Sequence, residues 1–230
     1  MIVLPYSTLL FDIDDTILDF QASEKRALEK LFMHLNRPLT SEIADYYRQL
    51  NATLWQRYEK GNVTRNQLLN SRFTLLFRHF GEDIDGASIE KQYRSFLAEG
   101  HDQIPGATQL LTDLSQHHDL YIVTNGIAKT QERRVQEAGI AKYFRQMFIS
   151  ERIGFQKPKQ AFFDFVSQKI DHFSKQNTLV IGDSLTSDIL GANTYGLDSV
   201  WFNPAHLHNS TPAEPTFEID SLTTLKTIVN

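Results

Sequence analysis

The sequence contains no cysteine. Disulfide bonds and thiolate chemistry are thereby excluded, and any metal site must use oxygen or imidazole ligands. Positive charge is not in surplus: 23 Lys and Arg stand against 28 Asp and Glu, a formal net charge of −5. A nucleic-acid polymer finds no basic footprint here, and a small anionic substrate would need locally placed cations. No apolar run reaches the roughly 18 residues that a membrane span requires. The opening residues, Met1-Ile2-Val3-Leu4-Pro5, have neither a basic region nor a small-residue cleavage pattern, so no signal peptide is expected. Internal repeats and low-complexity tracts are also lacking. What remains is ordinary globular composition, 41% hydrophobic and 22% charged over 230 residues, enough for one large domain or a core carrying a smaller one. The expectation is a soluble cytoplasmic protein, a monomer or weak homodimer.

What is present begins with Thr8-Leu9-Leu10-Phe11-Asp12-Ile13-Asp14-Asp15-Thr16-Ile17. The nearly continuous apolar run from Thr8 to Ile13 suits a strand buried on both faces of a parallel sheet. It delivers Asp12 and Asp14 to the carboxyl end, where open α/β sheets place their ligands. If the extended geometry holds that far, the two carboxylates point the same way. Such a pair is unfavourable unless a cation lies between them or one stays protonated.

The pattern then turns helical for about eighty residues. Leu28, Leu31, Phe32 and Leu35 recur at helical spacing before Asn36-Arg37-Pro38. A second helix from Thr40 or Ser41 to Gly61 carries Tyr47, Leu50, Leu54 and Tyr58. Thr64-Arg65-Asn66-Gln67 reads as a capping box for a third, with Leu69, Phe73, Leu76, Phe77 and Phe80. A fourth is expected from Ser88 to Ala98. Four amphipathic helices with short links make a small bundle. From Ile104 the chain alternates again, with strands expected at 120–124, 146–150, 178–181 and 199–202 and helices at 107–116, 130–138, 160–170 and 187–195. An edge strand at 217–219 and a helix at 222–229 complete the pattern. The fold class expected is α/β: a Rossmann-like parallel sheet core, residues 1–16 and 101–230, with an inserted four-helix-bundle cap, residues 17–100.

Several strand ends carry polar residues that a parallel sheet would bring to one edge. The first gives Asp12 and Asp14. The second gives Thr124-Asn125-Gly126, a hydroxyl, an amide and a flexible backbone able to donate to an anion. The fourth gives Gly182-Asp183-Ser184, with Asp188 five residues beyond Asp183, and Lys157 precedes Pro158 after the third. Clustered carboxylates favour a hard cation such as Mg²⁺, and a cation, a lysine and backbone amides about one point receive a phosphoryl group. Asp12 can then serve as nucleophile and Asp14 as general acid and base.

In order and spacing, Asp12-Ile13-Asp14-Asp15-Thr16, Thr124-Asn125, Lys157-Pro158 and Gly182-Asp183-Ser184-Leu185-Thr186-Ser187-Asp188 resemble the four signature motifs of the haloacid dehalogenase superfamily. The resemblance spans the chain, including the helical insertion after motif one. It implies Asp12 as nucleophile, Asp14 as acid/base, and Thr124 and Lys157 as phosphate-binding residues. It further implies Mg²⁺ held by Asp12, the backbone carbonyl of Asp14, and Asp183, with Asp188 as a further acidic group beside the metal. True dehalogenases of the superfamily generally lack the second aspartate, since halide leaves without a proton; Asp14 therefore favours phosphate ester hydrolysis.

The insertion is similar to that of a narrower group. Asn51-x-x-Leu54-Trp55-x-x-Tyr58-x-x-Gly61-x-x-Thr64, then Arg72-Phe73, resembles the cap of the bacterial pyrimidine 5′-nucleotidases. The Ser150-Glu151-x-x-Gly154 stretch and the run from Pro215 to Leu222 agree with it. The resemblance implies a nucleoside monophosphate substrate. Trp55, Tyr58 and Phe20 are candidates to stack on a base, and Asn51 or Arg72 to hydrogen-bond a base edge or ribose. The competing reading makes Trp55 and Tyr58 bundle core and Arg72 a solvated surface residue. The alternative functions are a phosphatase for small metabolites such as phosphoglycolate or sugar phosphates, a phosphomutase, and a non-catalytic binding protein on the same fold.

Overall fold

The computed structural model describes residues 6–229; the reading of Met1 to Pro5 as no signal peptide lies outside the described residues. The elements run β1 (Thr8–Phe11), α1 (Phe20–His34), α2 (Ser41–Glu59), α3 (Arg65–His79), α4 (Gly86–Leu97), α5 (Ala107–Leu114), β2 (Asp119–Thr124), α6 (Ala128–Glu137), β3 (Gln146–Ile149), α7 (Ser150–Ile153), α8 (Gln160–Lys169), β4 (Thr178–Gly182), α9 (Leu190–Tyr195), β5 (Asp198–Phe202), β6 (Phe217–Ile219) and α10 (Lys226–Val229). They form two compact units. One is drawn from both ends of the chain, up to Asp19 and from His101; the other is Phe20–Gly100.

In the first unit six parallel strands lie in the order β3-β2-β1-β4-β5-β6. β1 is central, paired with β2 and β4, and Leu9, Leu10 and Phe11 are fully buried. Alternation splits them between two cores. Leu9 and Phe11 join the layer containing Leu110, Leu111 and Leu114 of α5 and Val135 of α6, while Leu10 joins Phe162, Phe163 and Val166 of α8 and Ala192 of α9. Helices therefore cover both faces, which is why β1 reads as an unbroken apolar run. The register sets Phe11 against Ile122 and Ile181, so the polar residues that follow each strand emerge together.

Several boundaries depart from expectation. The strand ends at Ile149, and Ser150 opens the short α7. The helix expected at 187–195 is a π-helix over Leu185–Ile189 followed by α9. The segment 222–229 is a 3₁₀ turn, Leu222–Leu225, continued by α10. In the π-helix the wider turn moves Asp188 towards the strand ends, the usual association of π-bulges with functional positions.

In the second unit α2, α3 and α4 each start on a polar cap. Thr40 accepts from the Ile43 amide, and Thr64 and Gln67 form the reciprocal capping box. Asp85 caps α4, which starts at Gly86, two residues before the expected Ser88. The interior is aromatic, with Tyr47, Phe73 and Tyr93 in mutual ring contact. It also holds a chain of buried polar groups with one member from each helix. Asn51 donates to Glu24 at 2.9 Å and accepts from Arg72 at 3.0 Å, and Arg72 forks onto both Glu90 oxygens at 2.6 and 2.8 Å. Arg72 also lies 4.7 Å from the Tyr93 ring centroid. Among the described residues no helix is long and apolar enough to cross a membrane.

Candidate active site

β1 ends at Phe11, but the amide of Asp12 still donates to the Ile181 carbonyl at 2.8 Å. That bond carries Asp12 one step beyond the sheet in strand register. A tight turn follows Asp14: the amides of Ile17 and Leu18 both close onto the Ile13 carbonyl, and Asp15 takes a left-handed φ of 55°, which a short polar side chain tolerates. The two carboxylates are electrostatic neighbours but take different hydrogen-bond partners.

Asp12 belongs with Lys157. The ammonium of Lys157 is buried and donates to Asp12 Oδ1 at 2.7 Å, Asp188 Oδ1 at 2.6 Å and the Val123 carbonyl at 2.7 Å. Three hydrogens meet three acceptors, so the cation is fully satisfied. Burial would discharge this lysine, but the carboxylates of Asp12 and Asp188 more than offset it and hold its pKa above the ordinary value. Asn125 fixes the backbone from which Lys157 extends: its Oδ1 accepts from the Lys157 amide at 2.9 Å and its Nδ2 donates to the Lys157 carbonyl at 2.9 Å. The same amide reaches Ser187 at 3.2 Å, joining the second, third and fourth motifs. The Lys157–Pro158 peptide is cis.

Asp183 completes an acidic triangle. One carboxylate oxygen from each of Asp12, Asp183 and Asp188 lies within 4.8 Å of the others. Trp201 anchors the Asp183 carbonyl from β5 at 2.9 Å, and the Ser184 amide donates to Asp188 Oδ2 at 3.2 Å. Burial, with the neighbouring carboxylates, drives the pKa of Asp12 and of Asp183 well above the ordinary value, Lys157 opposing this at Asp12. Two buried carboxylates and the half-buried Asp183, with one ammonium, form an under-neutralised cluster of hard oxygen donors, the donor set that fits a small divalent cation. The Asp14 carboxylate is not among these three; Gln131 Nε2 donates to its Oδ2 at 2.8 Å, and Arg134 pairs with its Oδ1.

Thr124, the last residue of β2, accepts at Oγ1 from the Gly126 amide at 3.0 Å and from Gln131 at 3.0 Å. Both oxygen lone pairs are taken, which leaves its hydroxyl proton to donate. Gly126 thus lies against Thr124, and a Cβ on it would meet the Gln131 side chain at 2.6 Å. Trp55 is half-buried beside Tyr58, with ring centroids 5.7 Å apart. Arg72 is buried on Glu90 and Asn51, so its reading as a solvated surface residue is corrected. Gln131 and Arg134 were not among the residues singled out from the sequence, and Ser187 appeared there only within motif four, without its role as a partner of Asn125. A signal existed for the first two, because α6 (AKTQERRVQE) has too few apolar residues to face a core; its polar residues had to turn inward.

The family model for haloacid dehalogenase-like hydrolases matches residues 6–196. The chain belongs to this family of hydrolases. Its relatives include YfnB of Bacillus subtilis, 47% identical, the alignment covering 98% of this chain and 96% of that protein. The pyrimidine 5′-nucleotidase PynA of Streptococcus pneumoniae is 43% identical over 94% of this chain and 92% of its own length. The pyrimidine 5′-nucleotidase YjjG of Escherichia coli is 27% identical over 98% and 99%. A crystal structure of YfnB, bound to magnesium and showing interdomain movement, superposes with a TM-score of 0.94 over 98% of this chain and 99% of that one.

Proposed function

We propose that the protein is a Mg²⁺-dependent phosphatase that hydrolyses nucleoside 5′-monophosphates, pyrimidine ones by the similarity to PynA and YjjG. The carrying observation is Asp12, buried at the end of β1 and ion-paired to a buried Lys157, with a second aspartate two residues on that is held by another element. In this reading the Asp12 carboxylate attacks phosphorus. The ester P–O bond breaks, and Asp14 protonates the departing alkoxide. Asp14 then removes a proton from water, which attacks the aspartyl phosphate, releases inorganic phosphate and restores Asp12. Thr124 donates its hydroxyl to a phosphoryl oxygen, and Gly126 offers backbone beside it. Asn125 acts by holding Lys157 in place.

Asp12, Asp183 and Asp188 would hold the magnesium ion, with the Asp14 carbonyl the ligand implied by resemblance. When bound, the ion would supply positive charge that stabilises the phosphoryl group and would favour the ionised form of Asp12. We carry Trp55 as the residue that stacks on the base. Asn51 and Arg72 contribute by ordering the helices that present it.

The test is phosphate release with Mg²⁺ at neutral pH across nucleoside monophosphates, phosphoglycolate and sugar phosphates. Selective release from pyrimidine monophosphates, abolished in Asp12→Asn, is expected. Preference for the other esters would make the protein a metabolite phosphatase on the same mechanism. No release from any ester would reject the proposal.

A further inference from the structure

Helix α6 contradicts the usual rule for a helix packed on a sheet. Its inward residues include Gln131 and Arg134, 1% and 0% exposed, where apolar side chains would be expected. An arginine is expensive to bury unless its partners repay desolvation. Here both side chains converge on one carboxyl group. Gln131 Nε2 donates to Asp14 Oδ2 at 2.8 Å, Arg134 Nη1 donates to Asp14 Oδ1, and Arg134 also donates to Gln131 Oε1 at 3.0 Å. Gln131 links this triangle to the phosphate-facing Thr124 hydroxyl at 3.0 Å.

The surroundings keep the triangle in place. The Ala128 amide, at the start of α6, donates to Glu151 Oε2 of α7 at 2.7 Å, fixing the first turn without a local side-chain cap. Gly126 leaves room for Gln131, whose Nε2 and Cδ would lie 2.6 and 2.7 Å from any added Cβ.

We propose that Gln131 and Arg134 are positioning residues that fix the plane of the Asp14 carboxyl group, a role resting on Asp14 being the acid and base. Donors on opposite oxygens stop rotation about the Cβ–Cγ bond. A carboxylate has about four lone-pair directions; with one on each oxygen engaged, the remaining ones are aimed for proton exchange. Proton transfer falls steeply with misalignment. The tie to Thr124 keeps that aim in register with the bound phosphoryl group.

The experiment compares kcat/KM, which reports steps through departure of the leaving group, for a nucleoside monophosphate and for p-nitrophenyl phosphate. The nucleoside alkoxide needs a proton to leave; the nitrophenolate does not. Asp14→Asn is expected to lower the first far more than the second. Gln131→Met and Arg134→Lys are expected to lower the nucleotide value about tenfold more than the nitrophenyl value, with KM and melting temperature little changed for Gln131→Met. Equal losses on both esters in these variants, while Asp14→Asn discriminates, would overturn the positioning role and leave the function intact. An Asp14→Asn variant that does not discriminate would overturn the role assigned to Asp14 and the clamp with it. Gln131→Met removes no buried charge, so it decides the question even if Arg134→Lys does not fold.

Discussion

At the scale of single residues, two glycines show how closely this site is packed. A Cβ at Gly182 would meet Asp188 Oδ2 at 2.2 Å and Cγ at 2.3 Å. Gly182→Ala should therefore displace Asp188 from Lys157 and from the acidic triangle. We expect Mg²⁺ affinity to fall between about 10- and 100-fold, the range for disturbing groups that orient metal ligands, measured by calorimetric titration. Unchanged affinity would show that Asp188 does not shape the metal site. Gly126→Ala acts through Gln131 and should depress phosphate release, mostly in kcat. Asp12 and Asp14 were legible from two letters between an apolar run and a turn. Gln131 and Arg134 were not, because their meaning depends on which face of α6 meets the sheet.

At the scale of elements, the four-helix unit is joined by the buried chain from Glu24 through Asn51 and Arg72 to Glu90. Removing one partner of a buried ion pair leaves a charge without compensation, typically costing about 3–5 kcal/mol. Glu90→Gln should accordingly lower urea stability by about that amount. The paired change Arg72→Met with Glu90→Met should lower it less, since the two charges of the ion pair are removed together. A smaller loss for Glu90→Gln than for the double variant would contradict this. Helical periodicity located these helices, and Thr64-Arg65-Asn66-Gln67 marked one start to the residue. The polar chain was not legible because Glu24, Asn51, Arg72 and Glu90 are far apart in sequence, and Asn51 and Arg72 read as candidate base or ribose contacts instead of partners of Glu24 and Glu90.

At the scale of the whole molecule, the acidic triangle links cation binding to stability and pH. Burial and neighbouring carboxylates raise the pKa of Asp12 and Asp183 in the folded chain. From about pH 4, where such groups titrate in an unfolded chain, up to their raised values, the folded chain binds the additional protons. These two groups therefore lower stability as pH rises through that window. In the proposed reading, a divalent cation bound by these carboxylates would take the place of the protons and offset the loss. The rise in melting temperature on adding Mg²⁺ should be several degrees and larger at about pH 8 than at about pH 5; equal increments would show that the cation does not compete with these protons.

The parallel sheet, the helical insertion and the four motifs were legible in the order of residues, because each rests on local order: strand runs, helical repeats, and polar residues placed where strands stop. So was the family to which the chain belongs. What each motif residue touches came from the packed fold alone. Asn125 holds the backbone of Lys157, Asp188 on the π-helix meets the Lys157 ammonium, and Asp14 is held by Gln131 and Arg134 of α6. These are outcomes of packing between elements distant in sequence. A buried charge finds its partner across the fold, and no local pattern names it.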